Sequence, residues 1–212
     1  MATISNKIIN RLTLYHCLLK YTVPNQEFIS SSEIADLLNI DDSQVRKDIA
    51  LCDVLGHKKL GYSVTGLKAA IEQKLGFAKR KEIFIIGAGN LGSALIKYID
   101  FKDYGIDILA LFDNDEDKIG QEVAGKKVLS LKKLENLISH MNVKNIILAV
   151  PPQNAQEVAD YAVRCGVRFI WNFTPAILKV DKEVTVYYEN IIGSFMQMRS
   201  SPQKNIIKNK KN

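Results

Sequence analysis

Apolar positions follow two different periods along the chain and divide it into two regions. Up to residue 78 they recur every three or four positions, which predicts amphipathic helices, the first from Ile4 to Lys20. From Ile83 onward, short unbroken apolar runs alternate with helical patterns, as is typical of strands buried in a parallel sheet. We therefore expect a small helical domain followed by an α/β domain.

Two short helical patterns after the first helix have helix-turn-helix spacing. Ser30 and Glu33 are spaced as a capping box and open a helix that ends at Leu38. After a short turn, Asp42 or Ser43 can cap a longer helix, whose apolar face carries Val45, Ile49, Cys52 and Leu55. Such a pair fits DNA binding, and it also fits an ordinary pair of packed helices.

The first turns of the longer helix carry side chains suited to DNA. The N-terminal residues of a recognition helix reach base edges and phosphates, and here they are Ser43, Gln44, Arg46 and Lys47. Asp48 beside them lowers the positive charge. The segment from Gly56 to Val64 predicts a β-hairpin wing that follows phosphates, with Lys58, Lys59 and Tyr62 in the DNA-binding set. A third helix, 67–75, ends at Gly76.

A strand, a glycine turn, a helix and a second strand follow in order between residues 81 and 113. Gly87 permits a tight turn, Gly89 removes a side chain that would block a pyrophosphate, and Gly92 lets helix and strand pack closely. The order predicts dinucleotide binding at the helix N-terminus by the loop Gly87, Ala88, Gly89, Asn90, Leu91 and Gly92. Asp113 ends the second strand, where an acid meets the adenosine ribose and disfavours a 2′-phosphate, which indicates NAD(H).

The remaining strands and helices complete a doubly wound parallel sheet with right-handed crossovers. Ligands lie beyond the carboxyl ends of such strands, so we expect Val150, Pro151, Asn172 and Phe173 to line the nicotinamide half of the pocket. Taken singly, each of these residues fits a core or turn role equally well. The apolar helix at 189–199 arrives after the sheet is complete, which favours a dimer contact or an exchanged helix.

Charge and cysteine content narrow the setting. Residues 1–81 carry 12 basic and 8 acidic side chains, residues 82–195 carry 12 and 15, and residues 196–212 carry 5 and 0. Positive charge at both ends of the chain, with an acidic middle between them, favours binding of a polyanion by the ends and not by the middle. Three cysteines without metal-type spacing, no signal peptide and no membrane span indicate a cytoplasmic protein without a metal. The basic end, 200–212, is expected to be disordered.

With these motifs in place, the chain resembles the Rex family of bacterial redox-sensing repressors from about residue 3 to residue 195. The resemblance is carried by the segments 11–15, 43–48, 61–62, 87–92, 112–113, 118–120, 155–160 and 170–175. It implies a homodimer with an N-terminal winged helix (1–78), a Rossmann-type NAD(H)-binding domain (79–188) and a swapped C-terminal helix (189–199). It also implies that NAD⁺ permits binding to double-stranded operator DNA and that NADH releases it.

The family's redox switch combines an Arg of the first helix, a Tyr after the glycine loop and an Asp of the swapped helix. The resemblance places Arg11, Tyr98 and Asn190 at these positions. Asn190 replaces a charged hydrogen-bond partner by a neutral one, so we expect weaker discrimination between NADH and NAD⁺. The segment 50–56, between the recognition helix and the wing, departs from the aromatic, glycine-rich junction of the family. The resemblance therefore does not extend to the operator sequence.

Two other functions remain compatible with the sequence. One is a nucleotide sensor of the same fold with weakened DNA binding or redox coupling, acting through protein contacts. The other is an NAD-dependent oxidoreductase, which needs a proton donor or acceptor beside the nicotinamide. No histidine falls in the predicted pocket segments, and Tyr98 is the titratable side chain placed nearest to it. We therefore favour a regulator over an enzyme.

Overall fold

The computed structural model describes residues 4–98 and 100–200. Backbone contacts divide the described chain into two compact units. The first contains the residues up to 80 together with 101–106, and the second contains 81–100 and the residues from 107 onward. Residues 201–212 of the predicted basic tail lie outside the described residues.

The first unit is a helical bundle with a two-stranded sheet. Its elements are α1 (Asn6–Cys17), β1 (Phe28–Ile29), α2 (Ser31–Leu38), α3 (Asp42–Ala50), β2 (Tyr62–Ser63) and α4 (Val64–Leu75). The first helix is shorter than predicted, because a π-type turn, Leu18–Thr22, takes over its last residues. The apolar faces of the helices form one fully buried core that includes Leu12, Ile34, Val45, Ile49 and Leu67.

Side-chain caps set the start of the two helices in the helix-turn-helix. The Ser30 hydroxyl accepts a hydrogen bond from the Glu33 amide at 3.1 Å, as the capping spacing predicts. The predicted cap of α3 is wrong, because Asp41, and neither Asp42 nor Ser43, accepts from the Gln44 amide, at 3.2 Å. Asp41 has the extended backbone of a cap residue, whereas the helix already includes Asp42.

The predicted hairpin wing is a tight loop closed by a single bridge between His57 and Gly61. The strand that follows it, β2, pairs with β1 from before α2, with Ile29 opposite Tyr62. Gly61 has a φ of 89°, and a Cβ there would lie 2.3 Å from the Ile29 carbonyl oxygen, so the loop depends on glycine. Leu55 was also predicted wrongly, because α3 ends at Ala50 and leaves Leu55 89% exposed.

The second unit is a mostly parallel sheet of seven strands. Its strands are β3 (Lys81–Ile86), β4 (Ile106–Asp113, whose first residue is counted in the first unit), β5 (Glu122–Val123), β6 (Lys126–Ser130), β7 (Asn145–Leu148), β8 (Phe169–Asn172) and β9 (Thr185–Tyr188). The helices are α5 (Asn90–Tyr98), α6 (Leu134–Met141), α7 (Ala155–Arg164) and α8 (Ile191–Ser200). The sheet order is β5-β6-β4-β3-β7-β8-β9, which confirms the predicted doubly wound topology.

One strand of this sheet was not predicted. The edge strand β5 is two residues long and runs antiparallel to β6. Ala124 and Gly125, with φ of 49° and 75°, form the tight turn between them. A strand this short leaves no alternating pattern to detect in the sequence.

The chain reverses its direction of travel across the sheet at β3. It moves from β3 through β4 to β6 on one side and then returns to place β7 on the other side of β3. The residues that end β3, β4 and β7 therefore meet at one edge, where doubly wound folds bind their ligands.

Candidate functional site

A cleft of about 400 Å³ opens at the edge where the chain reverses. The residues around it include Gly87, Gly89, Asp113, Lys118, Val150 and Pro151. Two of the loop glycines, the acid at the end of β4, and Val150 and Pro151 were predicted to hold the nucleotide, and they thus lie around one cavity.

The three glycines of the loop differ in what surrounds them. A Cβ on Gly87 would lie 2.3 Å from the Ala149 carbonyl oxygen, and one on Gly92 would lie 1.9 Å from the Gly87 carbonyl oxygen. A Cβ on Gly89 would meet nothing within 4 Å. Gly87 and Gly92 are thus required by packing. Gly89 keeps space open at the start of α5, where free amide groups favour an anion.

The Asp113 carboxylate ties this loop to the end of β4. Its Oδ2 accepts from the Ala88 amide at 2.8 Å and from Lys118 Nζ at 3.4 Å, and its Oδ1 accepts from the Asp115 amide at 3.0 Å. Burial alone would raise the pKa of Asp113, but these donors outweigh it and hold the pKa below its usual range. The carboxylate therefore stays ionised, and Oδ1 keeps a lone pair for a ribose hydroxyl.

Lys118 is a cleft residue that the sequence patterns did not single out as a ligand. Its ammonium lies 3.4 Å from Asp113 and 3.1 Å from Asp115. These contacts outweigh its desolvation and raise its pKa. Asn114, Leu131 and Asn154 also line the cleft. They lie in a bend or in short 3-10 helices that follow strands, where the hydrophobic period gives no signal.

Only some of the residues predicted for the nicotinamide half of the pocket line the cleft. Val150 and Pro151 line the cleft. Asn172 is fully buried and uses both polar atoms in its own loop, donating to the Ala176 carbonyl at 2.9 Å and accepting from the Thr174 amide at 2.9 Å. Phe173 packs on Trp171 with ring centroids 4.8 Å apart. These contacts give Asn172 and Phe173 a structural role in the turn after β8.

The members of the predicted redox switch lie in different units. Tyr98 ends α5 and is 92% exposed. Asn190 precedes α8, where its Oδ1 accepts from the Gly193 amide at 2.7 Å and so caps that helix. Arg11 belongs to the helical unit, where its Nε and Nη2 donate to the two oxygens of Asp48 at 2.5 and 2.8 Å.

The face of α3 predicted to meet DNA carries some polar side chains that are hydrogen-bonded within the protein and others that are exposed. Ser43 donates to the Asp41 carboxylate, and Arg46 donates to Asp42 at 2.5 Å and to Ser31 at 3.1 Å. Lys47 is exposed, and so are Lys58 and Lys59 in the bridge-closed loop. Tyr62 is half-buried in β2.

Asp48 does not lie on this surface, although its position beside Lys47 in the sequence suggests that it should. The residue is 1% exposed and accepts from Tyr15 Oη at 2.8 Å and from Gln44 Nε2 at 2.9 Å, in addition to Arg11. Burial would raise the pKa of Asp48, but these hydrogen bonds dominate and lower it. The charge of Asp48 is thus neutralised inside the unit and does not oppose the cations outside.

The last helix presents apolar side chains to solvent. Five large apolar residues of α8 are at least half exposed: Ile191, Ile192, Phe195, Met196 and Met198.

Across the described residues, no cluster of three or more His, Cys, Asp or Glu side chains could hold a metal ion. Within that same part of the chain, no helix combines the length and apolar content needed to cross a bilayer.

Two protein families match parts of this chain. The family described as putative DNA-binding protein N-terminus matches residues 3–50, which include the helix-turn-helix. The family described as CoA binding domain matches residues 78–176, which include the glycine loop and the cleft.

Close relatives match nearly the whole chain. The redox-sensing transcriptional repressor Rex of Treponema denticola is 39% identical over 191 residues, which span 90% of this chain and 91% of the relative. The crystal structure of RSP in complex with β-NAD⁺ and operator DNA is 32% identical, with a TM-score of 0.81, covering 94% of this chain and 92% of that one. The complex of RSP with β-NADH is also 32% identical, with a TM-score of 0.80 and 94% of each chain covered.

Proposed function

Because the chain belongs to the Rex family of redox-sensing transcriptional repressors, we propose that it represses transcription by binding operator DNA and leaves that DNA when NADH replaces NAD⁺. The observation that carries the proposal is the cradle formed by Gly89 and Asp113. Space is open above the glycine, and an ionised carboxylate ends the neighbouring strand. The residues present therefore fit a dinucleotide with an adenosine ribose.

We assign the nucleotide to the cleft in one orientation. The pyrophosphate would lie over Gly89 at the N-terminus of α5, and the adenosine ribose would meet Asp113. Val150 and Pro151 would then border the nicotinamide side. The nicotinamide is a ring whose charge and shape change with its redox state. A protein responds to that change only if it binds the oxidised and reduced forms with unequal affinity.

We assign DNA contact to exposed and partly exposed side chains of α3, of the bridge-closed loop and of β2. Gln44 and Arg46 suit base edges, and Ser43, Lys47, Lys58, Lys59 and Tyr62 suit phosphates and sugars. A dimer would place two such faces on the two halves of an operator. The exposed apolar side of α8 supports a homodimer in which this helix packs on the partner subunit. We place the protein in the cytoplasm, together with its DNA.

We further propose that the cleft senses the nucleotide without converting it. Its ionisable side chains, Asp113, Asp115 and Lys118, hold one another at the ribose end. Proton transfer needs such a group within hydrogen-bond reach of the reacting atom. Incubation of the protein with NADH and a panel of aldehydes and ketones as hydride acceptors should leave the 340 nm absorbance of the nucleotide constant, and a catalytic decrease in absorbance would contradict this part of the proposal.

The central test is a titration of NADH into a mixture of the protein and its operator. The operator is first found by selection from random duplexes, followed by gel shift. We expect NADH to release the duplex, NAD⁺ to leave it bound, and coenzyme A, tested because of the matched family description, to have no effect. Enrichment of no sequence at all, together with retained NADH binding, would instead identify a nucleotide sensor that does not bind specific DNA.

A further inference from the structure

Asp48 joins the first helix to the helix that carries the base-contacting side chains. It lies in α3, four residues after Gln44, and two of its partners, Arg11 and Tyr15, belong to α1. We propose that Asp48, held by Arg11 and Tyr15, is a positioning residue that orients the side-chain amide of Gln44 for reading one base. The inference rests on the proposed function, since it assumes that α3 meets duplex DNA.

The chemistry of the contact fixes which way the Gln44 amide faces. An ionised carboxylate only accepts hydrogen bonds, so the Nε2 group of Gln44, and not its Oε1, must face Asp48. The pKa of Asp48 is lowered by its donors, although burial opposes this, so the group is ionised near neutral pH. Without this partner, the amide could rotate and present either atom to DNA.

The orientation leaves the pair of groups that adenine requires. Gln reads adenine with two hydrogen bonds, one donated by its N–H to N7 and one accepted by its oxygen from N6. The contact with Asp48 at 2.9 Å uses one of the two N–H groups of Gln44. The second N–H and Oε1 are then preset together, which lowers the rotational entropy lost on binding.

The grip of α1 keeps the carboxylate in place. Arg11 reaches both oxygens of Asp48, and Tyr15, which is fully buried, reaches one of them. Two-point contact between a guanidinium and a carboxylate fixes orientation as well as distance. A lysine could keep the charge at Arg11 but could not reproduce the fork.

The neighbouring side chains are held differently. Ser43 is bonded to the exposed Asp41, and the ion pair between Arg46 and Asp42 is partly exposed. Such pairs contribute little and yield readily to a phosphate. Among the four predicted contact residues of α3, as far as the described structure records, Gln44 is the one bonded to a buried charge. Its geometry is therefore the one set by the interior of the unit.

The test compares base preference in Gln44→Ala, Arg11→Lys, the double variant and Tyr15→Phe, with Lys47→Ala as the matched control. Affinity is measured for the selected operator and for duplexes with each base pair changed singly. We expect Gln44→Ala to lower discrimination at one A·T pair by about tenfold, the effect of losing a bidentate contact. Arg11→Lys should lower the same discrimination several-fold, and adding Gln44→Ala should lower it little further. Tyr15→Phe should act in the same direction, and Lys47→Ala should weaken all duplexes alike.

A measurement without DNA separates this inference from the proposed function. The side-chain amide signal of Gln44 in a ¹⁵N spectrum of the whole protein is assigned by its loss in Gln44→Ala, and it should shift in Arg11→Lys and in Tyr15→Phe. Equal weakening of all duplexes by Arg11→Lys, or additive losses in the double variant, would overturn the inference. If wild-type protein shows no base preference, the proposed function fails. An unshifted Gln44 signal in both variants would then remove the positioning role as well.

Discussion

Asp113 accepts a hydrogen bond from the backbone amide of Ala88 at 2.8 Å, so the acid that ends β4 holds the glycine turn that follows β3. The carboxylate thus shapes the loop and is also expected to meet the ribose. Lys118, at 3.4 Å from the same oxygen, adds a cation that could bind a phosphate once the acid is removed.

Asp113→Asn should weaken NADH binding and reduce the discrimination against NADPH. A hydrogen bond to a charged group contributes about 1.5–3 kcal/mol, so we expect NADH affinity to fall about tenfold or more. NADPH affinity should fall less or rise, because repulsion of the 2′-phosphate disappears while Lys118 remains. Calorimetric titration of both nucleotides measures the ratio. Asp115→Asn, which changes a more exposed acid beside Lys118, should leave the ratio nearly unchanged.

Substitution of two glycines in the loop should separate nucleotide binding from folding. Gly89→Ala places its methyl group in open space, so thermal stability should stay within about 1 kcal/mol while NADH affinity falls sharply. Gly92→Ala forces a Cβ to within 1.9 Å of the Gly87 carbonyl oxygen, so the α/β unit should lose stability. Thermal unfolding and NADH titration of both variants provide the measurement. Tight NADH binding by Gly89→Ala would remove the pyrophosphate from this position.

Sequence patterns predicted the parts of the fold that repeat a period. The alternation of strands and helices predicted the doubly wound sheet, and the glycine spacing predicted the turn between Gly87 and Gly92, because each pattern follows from a local steric requirement. The cap at Asp41 and the pairing of Ile29 with Tyr62 were missed. A cap depends on one backbone torsion, and a two-residue strand depends on a partner that lies about thirty positions away.

Side-chain partners were the least predictable part of the candidate site. Asp48 stands next to Lys47 in the sequence and was expected to share its surface, yet helix geometry turns it inward onto Arg11 and Tyr15. Such a contact links residues more than thirty positions apart, which no single-sequence period reports. The same holds for Lys118, whose place beside Asp113 depends on a turn.

The Asp48 cluster should make stability depend on pH in the acid range. Because the folded pKa of Asp48 lies below its ordinary value of about 4, its contribution is complete above that pH. The contribution is lost as the pH falls through the folded pKa. Tyr15→Phe should therefore destabilise the protein by about 1.5–3 kcal/mol near neutral pH, and the difference should shrink below pH of about 4. Urea unfolding of both proteins across this range measures it, and a constant difference would argue against the coupling.

The proposed homodimer contact through the exposed face of α8 predicts that one charge placed on this face should dissociate the dimer. Phe195 is 50% exposed in the single chain, and burying such a side chain stabilises an interface by about 1.5–3 kcal/mol. Phe195→Glu changes both subunits, so we expect the dissociation constant to rise more than a hundredfold. Analytical ultracentrifugation gives the value. Lys182→Glu, a charge change on an exposed residue outside α8, serves as the control and should leave the dimer intact.

Asn190→Asp should increase the preference for NADH over NAD⁺. The resemblance to the family places this residue in the switch with Arg11 and Tyr98, and a charged acceptor forms a stronger hydrogen bond than an amide. A gain of about 1.4 kcal/mol corresponds to about tenfold in the affinity ratio. The carboxylate would also improve the cap of α8, where Asn190 already accepts from the Gly193 amide. Asn190→Ser keeps a cap without the charge, so calorimetry should show the larger ratio for Asp alone. Equal ratios in wild type and Asn190→Asp would mean that this position does not take part in redox discrimination.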